Sequence, residues 1–195
     1  MSIEQALQGI PDKREWKTTT SLELKRDLYR FFNETEPSND LKAVELGTHH
    51  GHTTRVLSFL FKEVRTYDIV DDGQSKKFNA SRKNITHVYQ DIYETPWWED
   101  CDDMSVVFVD AVHKYGEVSE DIDNCLKIPT VEYIVFDDYG LFPEVKRAVI
   151  DAAKNKKIVP VKYIGEPPGS ECRIGKSLFD WEGIICRVNK GENNE

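Results

Sequence analysis

Five short apolar runs, each closing on a carboxylate, constrain this chain more than any other feature. They are Lys42–Leu46 with Glu45, Val64–Ile69 with Asp68, Ile85–Gln90 before Asp91, Ser105–Asp110, and Val131–Phe136 before Asp137 and Asp138. Short runs rich in Val, Ile and aromatic residues suit strands. Ser105–Asp110 is almost continuously apolar, as a strand covered on both faces should be. Helical spacing separates most of the runs. Val56, Leu57, Leu60 and Phe61 share one side of a helix after Gly51. A polar helix is expected near Gln74–Lys83. Val118, Ile122, Cys125 and Leu126 form another stripe, ended by Pro129, and Glu144–Ala153 is helical. Ile92–Asp103, rich in Pro, Trp and acid, has no clear pattern. Ile158–Ile164 and Gly183–Val188 are two further strands, and the absence of a long helix between them lets them pair as a hairpin at one sheet edge. The expected fold is α/β, a doubly wound and mostly parallel seven-stranded sheet with a C-terminal antiparallel hairpin.

Residues 1–40 are expected to be a helical preface, 41–189 the α/β domain and 190–195 a tail. Thr20-Ser21-Leu22-Glu23 resembles a capping box. Leu24, Leu28, Phe31 and Phe32 then place a helix near Leu22–Phe32, broken by Pro37-Ser38-Asn39-Asp40. With 195 residues, 39% hydrophobic and 31% charged, the chain suits one globular domain with a real core. No apolar run is long enough to span a bilayer, and no basic-then-apolar segment opens the chain, so no membrane partner and a cytoplasmic location are expected. The net charge of −9 argues against a nucleic-acid partner, because phosphates are bound by Lys and Arg. Lys76-Lys77 and Lys154-Asn155-Lys156-Lys157 are read as solvated faces or turns. Cys101, Cys125, Cys172 and Cys186 contain no C-x-x-C pair. Reduced thiols without structural zinc are expected, with Cys125 and Cys186 as small buried hydrophobes. Oligomeric state is open, a homo-oligomer included.

The stretch Ala43-Val44-Glu45-Leu46-Gly47-Thr48-His49-His50-Gly51 links the first strand to its helix. Gly47, Thr48 and Gly51 read as a tight turn that brings backbone and helix-end N–H groups to a ligand. In such sheets, ligands bind outside the carboxyl ends of the strands, and an acid after the second strand, here Asp68, takes ribose hydroxyls. The dinucleotide pattern G-x-G-x-x-G is absent, since Glu45 stands where its first glycine would fall. That favours a nucleoside ligand without a pyrophosphate. A sharp turn with no ligand is the alternative. His49, His50 and His52 are read as side chains lining the pocket, because consecutive turn residues rarely converge on a metal.

Val44-Glu45-Leu46-Gly47-Thr48-x-x-Gly51, Asp68, Asp91 and the strand ending at Asp110 resemble the class I S-adenosylmethionine-dependent methyltransferases, with their Rossmann-like fold. More narrowly, Phe108-Val109-Asp110-Ala111-Val112-His113-Lys114-Tyr115 followed by Phe136-Asp137-Asp138-Tyr139-Gly140 is similar to the metal-dependent O-methyltransferases of antibiotic biosynthesis, of the macrocin and novobiocin sugar type. The resemblance covers about Ala43–Ala153. It implies S-adenosylmethionine bound by Glu45, Gly47, Thr48, Gly51 and Asp110, with the ribose at Asp68 and the adenine at Asp91 and Ile92. It also implies a divalent ion, Mg²⁺, held by Asp110, Asp137 and Asp138, and a small hydroxylated acceptor. The family pattern is Asp-Gly-Asp-His-x-Tyr. Its second acid, a general base in the sugar-modifying members, is Val112 here. His113 and Asp110 are then the catalytic candidates, with a hydrogen-bonded structural histidine as the alternative.

The chemistry is coherent with this resemblance. A sulfonium methyl is already activated, so the enzyme aligns it, and a divalent ion can lower the pKa of the acceptor hydroxyl. Carboxylate oxygens select hard ions such as Mg²⁺. Adjacent strand residues point to opposite faces, so Asp137 and Asp138 share an ion only if the strand has turned by then. Within the two acidic motifs the only Lys or Arg is Lys114, which makes a cation from outside the expected neutraliser. Trp97-Trp98 fits either a lid or half-buried packing. Ile92–Asp103 and Glu166–Lys176 would shape the acceptor pocket without naming the acceptor. A methyltransferase without metal and a non-catalytic nucleoside-binding module are the rival readings.

Overall fold

The computed structural model describes residues 2–12, 20–35, 40–71, 73–171 and 176–191. Its strands are β1 (Ala43–Leu46), β2 (Val64–Asp68), β3 (Ile85–Tyr89), β4 (Val106–Val109), β5 (Tyr133–Phe136), β6 (Ile158–Ile164) and β7 (Gly183–Val188). They form one seven-stranded sheet in the order β3-β2-β1-β4-β5-β7-β6. Neighbours among β1 to β5 run parallel, and β7 is antiparallel to both β5 and β6. The order reverses between β1 and β4, where a doubly wound sheet opens its ligand crevice. The expected hairpin is present at the edge, with the later strand inserted between β5 and β6.

The helices are α1 (Ile3–Leu7), α2 (Leu22–Arg30), α3 (His52–Leu60), α4 (Gln74–Phe78), α5 (Tyr115–Cys125) and α6 (Pro143–Lys154). The two-residue period of the strands divides the core. On one face Val107 and Val109 meet Val118 and Ile122 of α5 and Val145 and Val149 of α6. On the other, Val106 and Phe108 meet Leu24 and Leu28 of α2 and Leu57 of α3. Both faces of β4 are therefore apolar, and its four residues are all buried.

The cap of α2 differs from the expected one. Ser21, not Thr20, is the N-cap, and its Oγ accepts the Leu24 amide at 3.0 Å. The reciprocal acid is not the local Glu23. Glu182, 161 residues away, accepts the Ser21 amide at 2.7 Å and also takes the Ser21 hydroxyl. A π-helical turn, Phe31–Thr35, follows α2 and puts Phe31 and Phe32 edge-on to Tyr133. The polar helix expected to reach Lys83 stops at Phe78, and the Asn79 side-chain Nδ2 beyond it donates to the Gly51 carbonyl at 2.9 Å. Trp97–Asp100 is a single 3₁₀ turn. Trp97 is 1% exposed and packs near Tyr67, and Lys127 lies over the Trp98 ring, so the pair packs rather than forming a lid.

Cys101, Cys125 and Cys186 are buried and free. Cys172, Pro37–Asn39 and residues 192–195 lie outside the described residues. Among the described residues no helix is long and apolar enough to cross a membrane.

Candidate active site

The turn after β1 is fixed by backbone. The Asp110 amide donates to the Leu46 carbonyl at 2.8 Å and the Gly47 amide to the Tyr67 carbonyl at 2.9 Å, binding the turn to β4 and β2. Gly47 has φ +97°, and a Cβ there would land inside the Asp110 carbonyl. Gly51, the N-cap of α3, has φ +75°, with the Ser75 and Asn79 side chains filling the space a Cβ would need. Both positions require glycine.

Asp68 is committed to this turn. Its Oδ2 accepts the Thr48 and His49 amides at 3.1 and 2.8 Å, and its Oδ1 accepts the Val70 amide at 3.0 Å. Glu45 lies inside β1 rather than at its end, and is 1% exposed. Its Oε2 takes the hydroxyls of Thr54 and Thr66. Burial pushes its carboxyl up to about 8, against the pull of those two hydroxyls. Asp91 closes its own loop, with Oδ1 accepting the Tyr93 amide at 2.9 Å. Ile92, 7% exposed, packs into the core. The Tyr93 hydroxyl donates to Asp121 of α5 at 3.2 Å, pinning that loop. The His49 and His50 rings lie 3.8 Å apart, and His52 meets Phe78 edge-on. Burial, reinforced by Lys25, lowers His52 to about 4, so it is neutral near pH 7.

Asp110 and Asp138 converge with His113. Each offers one ligand atom, all within 4.8 Å of one another. His113 Nε2 is 3.4 Å from Asp110 Oδ1 and 3.2 Å from Asp138 Oδ2. The turn needed after β5 is there: the strand ends at Phe136 and Asp138 has φ +57°. The His113 ring lies flat on Phe142, with centroids 4.6 Å apart. Asp137, 1% exposed, is not a member of this group. Two carboxylates and an imidazole suit a divalent ion, and the nitrogen widens the choice from Mg²⁺ towards Mn²⁺, Fe²⁺ or Zn²⁺.

One cation that the sequence reading did not place near these acids is Lys25 of α2. It is fully buried, and Asp137, Glu182, Asp110 and Glu45 all act on its charge. Sequence reasoning missed Lys25, Glu182, Phe142 and the two threonines on Glu45. Only Lys25 left a trace: it falls three and four residues before Leu28 and Tyr29, inside the apolar stripe of α2.

The glycine turn and the acids lie beside the sheet's switch point, where a doubly wound sheet binds its ligand. Residues 44–139 match the family model described as a methyltransferase domain. Solved structures similar in fold include an O-methyltransferase from Bacillus cereus in complex with SAH, at 13% identity and TM-score 0.65, covering 96% of this chain and 90% of that one. The N-methyltransferase NodS from Bradyrhizobium japonicum, also with SAH, has 14% identity and TM-score 0.59, covering 96% and 97%. The 23S rRNA methyltransferase ErmE has 18% identity and TM-score 0.55, covering 87% and 70%. Their names give oxygen, nitrogen and RNA as acceptors, so the likeness is one of fold. No curated protein matches the chain in sequence. Residues 44–139, just under half of the chain, are matched as a methyltransferase domain, and the fold around them is shared with enzymes solved with SAH.

Proposed function

We propose that this enzyme transfers the methyl group to a hydroxyl oxygen of a small molecule, with a divalent cation assisting at Asp110 and Asp138. The observation that carries the reading is His113 Nε2 held between those two carboxylates, beside a cofactor turn whose Gly47 is pressed against Asp110 itself. S-adenosylmethionine supplies an activated sulfonium methyl, which leaves the chain the tasks of alignment and deprotonation. The Gly47–Gly51 turn offers its backbone and the N-terminus of α3 to the cofactor. Asp110 gives the pocket an acidic face suited to a cationic ligand, and Asp68, Asp91 and Ile92 take the nucleoside side, with Glu45 buried beneath the turn. With any ion held by the carboxylates alone, His113 Nε2 accepts the acceptor's hydroxyl proton, and the flanking carboxylates stabilise the imidazolium that results. With valine at position 112, that duty falls to His113. A bound divalent ion would lower the pKa of the acceptor hydroxyl. The net charge of −9 favours a small acceptor over RNA. A metal-free version of the same transfer is a second reading, favoured by the imidazole already bridging both carboxylates.

Calorimetry with S-adenosylhomocysteine and a methyl-transfer assay on hydroxylated small molecules test this, with chelator, Mg²⁺ and Mn²⁺ arms and a ribosomal RNA control. His113→Ala should lower kcat by about 10²–10⁴-fold with cofactor affinity kept. Failure to bind the cofactor product refutes the function, and transfer to RNA alone refutes the acceptor class. Turnover unchanged by chelator gives the metal-free reading.

A further inference from the structure

The Thr66 hydroxyl has no part in the chemistry proposed above. Thr66 lies on β2, opposite Glu45 in the register with β1, and is 0% exposed. Its hydroxyl donates to Glu45 Oε2 at 2.5 Å, and the Thr48 hydroxyl lies 2.5 Å from it on the other side. A hydroxyl carries one proton, so with the Thr66 proton on Glu45 it is Thr48 that donates to Thr66. A second branch leaves the same carboxylate oxygen for Thr54, in the first turn of α3. The two branches end in different places. The Thr54 branch ties α3 to the sheet, whereas the Thr66 branch ends on the turn that follows β1. Thr48 stands there between Gly47 at φ +97° and His49 at φ +46°. A left-handed conformation is costly for a residue with a side chain, so His49 keeps it only because its surroundings hold it. Asp68 holds the backbone through the Thr48 and His49 amides, and Thr66 holds the Thr48 side chain. Valine would match the shape of Thr66 with no polar atom to bury. The hydroxyl is therefore what position 66 supplies.

We propose that Thr66 is a positioning residue for the methyl donor: its hydroxyl joins the buried Glu45 carboxyl to Thr48 and so fixes the Gly47–Gly51 turn in the shape that receives S-adenosylmethionine. The assignment rests on that turn being the cofactor site, as proposed above. Thr66 is fully buried and acts through Thr48. β2 thus grips the turn twice, at Thr66 through a side chain and at Asp68 through two amides.

The test uses the full chain, with S-adenosylhomocysteine affinity taken from calorimetry and Tm from melting. Thr66→Val should weaken binding at least about tenfold, and Thr66→Ser, which keeps the hydroxyl, should bind within about threefold of the wild type. Thr54→Val removes the other hydroxyl from the same carboxylate oxygen. It should lower Tm while leaving affinity within about twofold. Thr48→Val and Thr66→Val break one bond from its two ends, so the double variant should lose at least about fivefold less than the product of the single losses. Wild-type affinity in Thr66→Val, an equal loss in Thr54→Val, or single losses that simply multiply each overturn the proposal. Should Thr66→Val fail to fold, Thr66→Ser read against Thr66→Cys decides, because a thiol is a weak donor: a tenfold loss confined to the cysteine supports the relay, and equal affinities refute it. A wild type that does not bind S-adenosylhomocysteine overturns the cofactor reading and this proposal with it. A wild type that binds, with Thr66→Val unchanged, overturns this proposal alone.

Discussion

Replacing Asp121 by asparagine should stabilise the protein, and by an amount that grows with pH. Asp121 is 0% exposed on α5. Its Oδ2 accepts the Tyr93 hydroxyl, and its Oδ1 is buried without a hydrogen-bond partner among the described residues. Burial raises its carboxyl from 3.8 to about 7, with Glu120 and Glu117 adding to the shift and Tyr93 opposing it. The folded state thus holds a proton that the unfolded chain has released. The stabilising contribution is complete below pH 3.8 and is lost as pH rises through about 7. At about 1.4 kcal/mol per pH unit, a shift of about 3 units makes ionisation cost about 4 kcal/mol above pH 7. Between pH 5 and pH 8 the advantage of the variant should grow by about 3 kcal/mol. For a domain of this size that is roughly 6–12 °C in Tm. Asparagine keeps an oxygen for Tyr93, so the comparison isolates the charge. Melting both proteins at pH 5 and pH 8 and taking the difference cancels other titrations, that of Glu45 included. A difference that stays flat across this range would refute the reasoning.

Three further outcomes follow from the site. Gly47→Ala should abolish S-adenosylhomocysteine binding in calorimetry and cost about 2 kcal/mol or more of stability, because φ +97° and the Asp110 carbonyl both exclude a Cβ; wild-type affinity would refute the close approach. Ser21→Ala should lose about 1 kcal/mol for the cap, plus a further 1–2 for removing a partner of the buried Glu182, in urea unfolding; a loss below about 0.5 kcal/mol would refute the clasp. Phe142→Ala should lower kcat about tenfold with cofactor affinity unchanged, because the ring flat against His113 is gone; an unchanged kcat would show that the stacking does not position the base.

The sheet was legible because each strand carried its own signal: β4 is apolar on both faces, and β6 and β7 lack a helix between them. Gly47 and Gly51 were legible because positive φ and close approach leave few alternatives to glycine. Partnerships across the chain were not. Glu45 looked like a strand-end ligand because nothing nearby marks Thr54 and Thr66 as its donors. Asp68 was assigned to a ribose, yet its carboxylate holds the turn together, so Asp68→Ala would combine loss of ligand contact with loss of turn geometry. Glu23 fits a local capping box, and the structure uses Glu182 because tertiary packing delivers that acid to the same amide. His113 was read as a base beside the acids, and its ring falls among them because Asp138 turns back through a left-handed conformation.

The Ser21–Glu182 clasp also bears on how the chain is made. Vectorial synthesis releases α2 long before the acid that completes its cap, 161 residues later. A nine-residue helix is marginal by itself, so α2 waits for β7 before it locks down, and Lys25 enters the interior with it. The domain therefore closes late, through a long-range contact of the kind that slows folding. A fragment cut to residues 44–139 would carry the glycine turn and the three clustered site residues, yet lack the segment that shuts the fold.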